Sequence, residues 1–308
     1  MVRQYEGIFV IEISNMKLCT AVTHRIETGN ATPLLRRNIR VSIYFEADIN
    51  KEVKRNLGLG ILSKSNNTWC SRIVPVPKKD GSLRLCIDYR PINAFAIKDS
   101  YPILLIDEIF DMFTGSTIFI TLDATSGYFQ ITVDPADHHK TAFNRKGSLY
   151  EFNGMPFGLC NSLGTFQWAM DRILENERGL FVIPHLDGII VFLRTKENHA
   201  RHVEILLRKL KVAGISLNKA KCQFGKSEVK ILGHVVSKDV IKPDPEKVIA
   251  IQEMRRPSNL KELRSFLGLF NYCRDFIPKT ADITLPLYNL LKRKGKTVIK
   301  LSCGENKN

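Results

Sequence analysis

The order of the predicted elements indicates an α+β fold, in which short hairpins and amphipathic helices follow one another irregularly. Two turn signals support this interpretation: Asp80-Gly81 between two apolar segments, and Lys146-Gly147 between two others. An Asp-Gly pair between apolar segments is a strong hairpin signal. Because the elements do not alternate regularly as strand, helix and strand, the pattern favours α+β over a parallel α/β sheet.

Helices are predicted where apolar residues recur every three or four positions. This spacing predicts helices over 48–62, 106–113, 162–174 and 197–213. Two later helices are predicted to begin after Pro243 and Pro257, the second with Ser258 as its N-cap. The stretch 64–67 is predicted to be a loop, and the clearest apolar strands are predicted over 73–77, 83–87, 118–123 and 189–193.

Length and composition are those of a soluble globular protein with room for two domains or one elaborated domain. The chain has 308 residues, of which 44% are apolar and 25% charged. The composition shifts near residue 238, and we predict a boundary there. The predicted organisation is an N-terminal extension over 1–65, a main region over 66–237, a helical segment over 238–296 and a disordered tail over 297–308.

The chain is strongly basic, which favours a polyanionic partner such as nucleic acid or an acidic membrane face. Lys and Arg outnumber Asp and Glu by 46 to 31, which gives a net charge of +15 and a pI near 9.5. From Lys238 onward, fifteen basic residues face eight acidic ones. Charge alone leaves open the alternative of a merely basic soluble protein.

The cysteines argue against a disulfide framework and against a zinc ribbon. There are seven of them, scattered and without a C-x-x-C pair. The simplest interpretation is an intracellular, reducing location in an unspecified compartment. The N-terminal apolar stretch is too interrupted for a signal peptide, and no run approaches about 20 apolar residues, so the sequence predicts no membrane span.

Two apolar, strand-like runs each carry one isolated acid. Asp123 lies in the run 119–131, and Asp187 lies in the run 183–192. A carboxylate in such a setting is costly to desolvate unless it is paired or binds a cation. Two such strands side by side would form a site for divalent metal ions, as two-metal phosphoryl-transfer enzymes require. The alternative for either residue alone is a hydrogen-bonded structural aspartate.

The residues around both acids carry a family resemblance. Asp123 begins the segment D-A-T-S-G-Y-F-Q, and Asp187 lies in L-D-G-I-I-V-F. These segments resemble the D-x-x-S-G-Y-x-Q and L-D-D-I-L-V-F motifs in the palm of reverse transcriptases from gypsy-like LTR retrotransposons. The resemblance runs from about residue 24 to about residue 291. It implies a right-hand polymerase within a Pol polyprotein, with fingers and palm to 237 and a helical thumb or connection segment after it.

The resemblance also implies an activity, a cofactor and partners. The family's enzymes are RNA-directed DNA polymerases, in which the residues matching Asp123 and Asp187 bind two Mg²⁺ ions. These ions activate the primer 3′-hydroxyl and stabilise the leaving pyrophosphate. Mg²⁺ suits carboxylate oxygens, and Mn²⁺ accepts the same ligands. The implied partners are an RNA or DNA template with its primer, and deoxynucleoside triphosphates.

Five further residues match nucleotide-binding positions of the family. Tyr128 matches the ring that excludes a 2′-hydroxyl, although by itself it would be interpreted as a core aromatic. Lys78 and Arg84 match the cations that hold the incoming triphosphate, although two cations near a hairpin tip could simply be solvated. Phe157 and Gly158 lie in a segment that ends at Gln167 and resembles M-P-F-G-L-x-N-A-P-x-T-F-Q, and they match positions beside the nucleotide sugar and base.

Lys221 is the third predicted catalytic residue. It matches the family lysine proposed as proton donor to pyrophosphate, although a lone lysine would be surface decoration. Its segment reads L-N-K-A-K-C-Q-F, where the family pattern is L-N-P-K-K-C-x-F, so Lys219 and Ala220 depart from it. Leu163 also departs, because it replaces a proline at the start of a predicted helix.

The family's Y-x-D-D motif is degenerate here, with His185 in place of the tyrosine and Gly188 in place of the second aspartate. Glycine offers no ligand, and even changes outside the ligand set typically cost about 10–100-fold in metal affinity or activity. No Asp or Glu lies between Asp187 and Glu197. We therefore expect impaired chemistry, and two alternatives stay open: a template–primer binder without catalysis, and a translated relic without a selected role.

Overall fold

The computed structural model describes residues 2–10, 16, 18–36, 41–77, 83–186, 188–195 and 199–292. The chain divides into two compact units between Ser227 and Glu228. The change of composition near residue 238 lies inside the second unit, because the small sheet that opens this unit spans that position. Among the described residues, no helix has the length and apolar character needed to cross a membrane.

The helices of the described chain are α1 to α9, with short 3₁₀ turns at Val2–Ile8, Ile43–Phe45, Pro135–Thr141 and Arg274–Phe276. In chain order, the helices are α1 Glu46–Gly58, α2 Arg90–Asn93, α3 Ile106–Met112, α4 Gly127–Gln130, α5 Ser162–Ile173, α6 His199–Ala213, α7 Pro245–Gln252, α8 Leu260–Tyr272 and α9 Thr280–Lys292.

Sixteen strands are described, and most are short. They are β1 Phe9–Val10, β2 Cys19–His24, β3 Leu62–Ser65, β4 Arg72–Pro77, β5 Leu83–Asp88, β6 Ile118–Asp123, β7 Ile131–Val133, β8 Phe143–Arg145, β9 Ser148–Phe152, β10 Val182–His185, β11 Gly188–Leu193, β12 Leu217–Asn218, β13 Gln223–Lys226, β14 Glu228–Ile231, β15 His234–Ser237 and β16 Val240–Pro243. Both predicted hairpins are confirmed as antiparallel pairs, β4 with β5 and β8 with β9.

The central sheet of the first unit has the antiparallel order β10-β11-β6-β13. Its two middle strands are buried on both faces, which explains why their sequences are nearly continuous apolar runs. On one face, Phe113 packs edge-on against Phe119 and Phe192, with ring centroids 5.8 and 5.4 Å apart. Residues of the opposite face, such as Leu122 and Ile189, belong to the main hydrophobic core.

Helices α5 and α6 pack against each other, and α5 also packs on β10. The amphipathic pattern predicted for α6 is confirmed, since its buried residues are Val203, Leu206, Leu207 and Leu210. Burial of such a face is the main source of helix stability in a folded protein. This packing fixes the back of the central sheet and leaves the ends of β6 and β11 to form a site.

Three predicted elements differ from the structure. Helix α1 ends at Gly58 rather than near residue 62, because Gly60 adopts a left-handed φ of +69° and the chain enters β3 at Leu62. The predicted loop over 64–67 is therefore wrong in its first half, where Lys64 and Ser65 pair with β9. The apolar run after Asp123 also leaves the sheet and forms the single turn α4.

The second unit contains the antiparallel sheet β14-β15-β16 and the three helices α7 to α9. Both predicted helix starts are confirmed in place. The N-cap of α8 is Asn259 rather than Ser258, since the Asn259 side chain accepts a hydrogen bond from the Glu262 amide at 3.0 Å. The Glu262 carboxylate accepts in turn a hydrogen bond from the Ser258 amide. The predicted cap, Ser258, therefore takes part in capping from the position before the observed N-cap.

Candidate active site

Asp123 is the last residue of β6 and lies directly across the sheet from Gly188, the first residue of β11. Residues directly opposite in an antiparallel pair project their side chains to the same face, with Cβ atoms about 5 Å apart. The Asp123 side chain keeps 26% of its surface exposed. The sheet therefore presents one carboxylate at its end, beside a position that could carry a second.

Lys221, the third predicted catalytic residue, lies next to the Asp123 carboxylate. Its Nζ atom is 3.2 Å from both the Oδ1 and Oδ2 atoms of Asp123, although 98 residues separate the two in the chain. The backbone around Lys221 is tied to Asn218, whose carbonyl accepts from the Lys221 amide at 3.1 Å. The structure thus brings Asp123 and Lys221 together and places a cation against the carboxylate.

Gly188 adopts a backbone that any residue could adopt at this position. A Cβ atom built there would lie 3.6 Å from the His185 carbonyl oxygen and 3.8 Å from that of Leu122, both ordinary van der Waals contacts. Its φ is not in the left-handed region. Glycine is therefore not required by the fold, and a side chain here would project toward Asp123.

Asp187 lies outside the described residues, whereas its two neighbours are described. Leu186 precedes it in a left-handed conformation with φ of +56°, and Gly188 follows it in β11. His185 pairs with Gly188 across the turn and is 9% exposed. The backbone on both sides of Asp187 therefore belongs to the tight β10–β11 connection beside the Asp123 carboxylate.

Tyr128 lies on α4, five residues after Asp123, within a group of aromatic rings. Its ring contacts Phe157 edge-on at a centroid distance of 4.9 Å and Phe166 at 5.6 Å. Phe157 also contacts Phe129 at 5.3 Å. The structure thus brings together two of the predicted nucleotide-binding residues, Tyr128 and Phe157, and both are only partly buried.

Gly158 follows Phe157 with a φ of +96°, a conformation that favours glycine. Asn93 holds this turn, since its side-chain amide donates to the Gly158 carbonyl at 2.8 Å and its oxygen accepts from the Cys160 amide at 3.0 Å. A Cβ at Gly158 would lie 3.7 Å from the Tyr89 ring. This predicted residue is therefore placed by its backbone rather than by any side-chain chemistry.

The two predicted triphosphate cations are described only in part. Lys78 lies outside the described residues. Arg84 lies on β5, where its backbone pairs with Val76 of β4 next to the end of the hairpin. The described part of the hairpin therefore places the backbone of Arg84 near its end, and the triphosphate role of Lys78 and Arg84 stays a prediction.

Two buried glutamines were quoted in the sequence motifs without a role, and the structure gives each of them one. Gln130 is fully buried, and its Nε2 atom donates to the carbonyls of Thr125 and Ser216 at 2.9 Å. Its Oε1 atom accepts from the Ser216 amide at 2.7 Å. Gln130 therefore joins the loop after Asp123 to the segment that leads to Lys221. Gln167 holds the β10–β11 turn in a similar way. In the sequence, the only sign of these two roles was that each family motif ends in a glutamine.

The electrostatics of the site are set by Asp123 and its neighbours. Burial raises the pKa of the Cys222 thiol, and the nearby Asp123 charge raises it further. Cys222 therefore remains a neutral thiol beside the carboxylate. The one cation placed against Asp123 among the contacts described is the Lys221 ammonium.

A divalent ion fits this site in donor type and only partly in donor number. Carboxylate oxygens suit Mg²⁺, and Asp123 is a half-buried carboxylate already adjacent to a cation. Gly188 adds no donor, and among the described residues no group of three His, Cys, Asp or Glu side chains could hold a metal. Among the described residues of the sheet end, Asp123 is therefore a carboxylate that could hold a metal, and Asp187 lies outside them.

A family model described as reverse transcriptase (RNA-dependent DNA polymerase) matches residues 76–236, just over half of the chain. The transposon Tf2-3 polyprotein of Schizosaccharomyces pombe is 38% identical over 245 residues, which cover 80% of this chain. The Tf2-7 polyprotein of the same organism gives the same identity and coverage. The chain spans 18% of the length of these polyproteins.

Solved structures give a similar result. A foamy viral protease-reverse transcriptase in complex with double-stranded DNA superposes with a TM-score of 0.91 and 25% identity, over 98% of this chain and 53% of that one. A second, in complex with an RNA/DNA hybrid, superposes with a TM-score of 0.88 and 25% identity, over 98% of this chain and 41% of that one. These likenesses confirm the α+β polymerase fold predicted from the sequence.

Proposed function

Because the chain belongs to the reverse transcriptase family, we propose that it is the RNA-directed DNA polymerase domain of a retrotransposon polyprotein, with chemistry impaired by one missing carboxylate. Its reaction is nucleotidyl transfer to a primer 3′-hydroxyl. The partners are an RNA or DNA template with its primer, and deoxynucleoside triphosphates. The likeness to transposon polyproteins supports the polyprotein origin.

The observation that carries this proposal is the pairing of Asp123 with position 188, together with the Lys221 contact. Asp123 lies where a carboxylate at 188 would share its face of the sheet. Lys221 lies within 3.2 Å of the same carboxylate, where a proton donor to pyrophosphate would be needed. Two strands and a distant lysine therefore meet at one point.

Asp123 and Asp187 would hold the divalent ions, for which Mg²⁺ is the first candidate and Mn²⁺ a substitute. When bound, the ions lower the barrier by activating the primer hydroxyl and neutralising charge on the phosphates. The chain's own contribution is to hold the carboxylates at the sheet end and to bring Lys221 to them. Gly188 leaves this set one oxygen donor and one negative charge short.

The nucleic-acid partner is supported by charge and by likeness. The net charge of +15 attracts a polyanion. The foamy viral enzymes that superpose on this chain are complexes with double-stranded DNA and with an RNA/DNA hybrid. The partly buried rings of Tyr128 and Phe157 provide a surface for the sugar and base of an incoming nucleotide.

Primer extension on an RNA template tests the proposal, with Mg²⁺ and Mn²⁺ in parallel. The unaltered chain should extend weakly or undetectably in Mg²⁺, with some recovery in Mn²⁺. The double variant Gly188→Asp, His185→Tyr restores the family motif, and extension should rise by roughly 100-fold or more, since changes outside the ligand set already cost about 10–100-fold. The contacts at Gly188 leave room for the new side chain.

The two possible failures have different meanings. Robust Mg²⁺-dependent synthesis by the unaltered chain would show that the site is not impaired and that another acid completes it. A double variant that binds primer–template and still does not extend would place the damage elsewhere, with Leu163, Lys219 and Ala220 as the first positions to restore.

A further inference from the structure

We propose that Gln167 is a positioning residue for the metal site, because its side-chain amide holds the turn that leads into Gly188, the residue paired with Asp123. The inference rests on the proposed function. It adds a residue that contacts neither substrate nor metal and acts through the backbone of the β10–β11 turn.

Gln167 lies on α5, is 2% exposed and contacts the turn with both ends of its amide. Its Nε2 atom donates to the Pro184 carbonyl at 2.9 Å, and its Oε1 atom accepts from the Leu186 amide at 3.3 Å. Pro184 is on β10, and Leu186 directly precedes Asp187. One side chain therefore connects a helix to both sides of His185.

Asp171, one turn later on α5, determines which way the Gln167 amide points. Its Oδ1 atom accepts from Gln167 Nε2 at 3.1 Å. A carboxylate can only accept hydrogen bonds here, so it requires the nitrogen of the amide on its side and the oxygen on the side of Leu186. The Pro184 carbonyl makes the same demand, so two acceptors together hold the Oε1 atom toward the Leu186 amide.

Asp171 is itself fixed by two donors. Its Oδ2 atom accepts from the Tyr101 hydroxyl at 2.8 Å and from Arg178 Nη1 at 2.9 Å, and its side chain is 7% exposed. Burial, together with the hydrogen bond to Asp171, raises the pKa of Tyr101 to about 12, so its hydroxyl remains a donor. The network from Tyr101 and Arg178 to the turn is thus fully oriented.

The turn needs such support because Leu186 is in the left-handed region, which is unfavourable for a residue other than glycine. A variant that left the Leu186 amide or the Pro184 carbonyl without its partner would add the desolvation penalty of a buried polar group. The chain would then relax toward another turn geometry. Gly188 would move with it, out of the register that pairs it with Asp123.

The test compares Gln167→Glu with Gln252→Glu, a change of the same kind at an exposed position of α7. At 167 the new oxygen would face the acceptors Pro184 O and Asp171 Oδ1 in place of the donor. Each change is made in the unaltered chain and in the Gly188→Asp, His185→Tyr background. The readouts are Mn²⁺ affinity by electron paramagnetic resonance, kcat and KM for extension, primer–template affinity, and folding by circular dichroism.

With Gln167→Glu, Mn²⁺ affinity and kcat should each fall by about 10–100-fold, as for other residues that orient metal ligands. The KM for nucleotide and the affinity for primer–template should stay within about twofold. The proposed nucleotide contacts, such as Tyr128 and Phe157, lie outside α5. Gln252→Glu should change none of them. Adding Asp171→Asn to Gln167→Glu should recover part of the loss, since the new amide at 171 can donate to the new carboxylate while its oxygen stays toward Tyr101 and Arg178.

The outcomes separate the two proposals. If Asp123→Asn weakens Mn²⁺ binding and Gln167→Glu does not, Gln167 has no positioning role and the proposed function survives. If Asp123→Asn leaves Mn²⁺ binding unchanged and no variant extends a primer, the metal site itself is wrong and this inference fails with it. If Gln167→Glu and Asp171→Asn both unfold the chain, the network is a general core element and the positioning role is rejected.

Discussion

The two strands that meet at the site differ in how much of their chemistry they retain. Strand β6 ends in Asp123, with the Lys221 ammonium at its carboxylate and Gln130 behind it. Strand β11 begins with Gly188, which offers no ligand, although the turn before it is held by Gln167. The β6 side keeps the side chains of the family motif. The β11 side keeps the backbone geometry, but Gly188 lacks the carboxylate of the motif.

This difference shows that the backbone of the site does not depend on its ligands. The sheet register, the left-handed turn at Leu186 and the two glutamine anchors are held by apolar packing and hydrogen bonds behind the site. Replacing an exposed carboxylate at the sheet end by glycine removes charge without removing packing. Restoration by substitution is therefore a feasible test of the proposed impairment, because the fold around position 188 is already in place.

The largest effect is expected when the intact β6 side is also broken. In the Gly188→Asp, His185→Tyr background, Asp123→Asn should lower single-nucleotide incorporation by more than about 100-fold, because it would remove a proposed metal ligand rather than a residue that orients one. Asp134→Asn is the matched control, since Asp134 caps a 3₁₀ turn by accepting from the Ala136 amide and asparagine can do the same. Incorporation that survives Asp123→Asn would show that the carboxylate of β6 is not a ligand.

A smaller loss is expected from the lysine on the same side. Lys221→Met in the same background should lower the rate of incorporation by about 100-fold, the lower range of what a general acid contributes. Lys226→Met is the control, because Lys226 is an exposed lysine of the neighbouring strand β13. Rapid-quench measurement of the first turnover isolates this step. Equal rates for the two variants would reduce Lys221 to a surface cation.

The sequence predicted the parts of the fold that depend on local pattern. The strands over 118–123 and 189–193, both hairpins and α6 follow from apolar spacing and turn residues, and all are confirmed. The end of α1 was misplaced because Ile61 fits a helical spacing and also the entry to a buried strand. Local periodicity does not distinguish these two roles.

The parts of the site that the sequence could not give are those set by register and by long-range contacts. The pairing of Asp123 with Gly188 depends on how two strands align, and no single strand encodes that alignment. The Lys221 contact joins residues 98 positions apart. Gln130 and Gln167 were visible as motif letters, but their partners are backbone atoms, which leave no mark on the sequence.

A moderate effect on stability is expected at the strand and helix behind the β11 turn. His24 is 1% exposed on β2, and its Nδ1 atom lies 2.8 Å from the Thr165 hydroxyl of α5, the helix that carries Gln167. Burial lowers the pKa of His24 to about 4, and the nearby Asp137 carboxylate opposes part of that shift. The folded state thus binds a proton less readily than the unfolded state, whose pKa is about 6.5.

The His24 contribution to stability is therefore fully present above about pH 6.5 and is lost as the pH falls toward about 4. Between about pH 7.5 and about pH 5, it should lower the free energy of unfolding by roughly 2 kcal/mol. Urea unfolding of the unaltered chain and of His24→Gln, which cannot titrate, measures the difference. A gap between the two proteins that does not change with pH would mean that His24 titrates normally.

The smallest difference between the two sides of the site should be in binding. Nucleic-acid affinity depends on the basic surface, which Gly188→Asp, His185→Tyr changes by a single charge out of +15. Affinity of the unaltered chain for primer–template should fall steeply with salt, by about 10³ between 50 and 200 mM if about six phosphates are contacted. The double variant should show the same slope within error, and an affinity within about threefold at each salt concentration.

Fluorescence anisotropy with a labelled primer–template measures both the salt slope and the affinity. Parallel slopes beside a large difference in extension would locate the loss in the metal chemistry of β11 alone, whereas a salt-independent affinity would exclude nucleic acid as the partner of this basic surface.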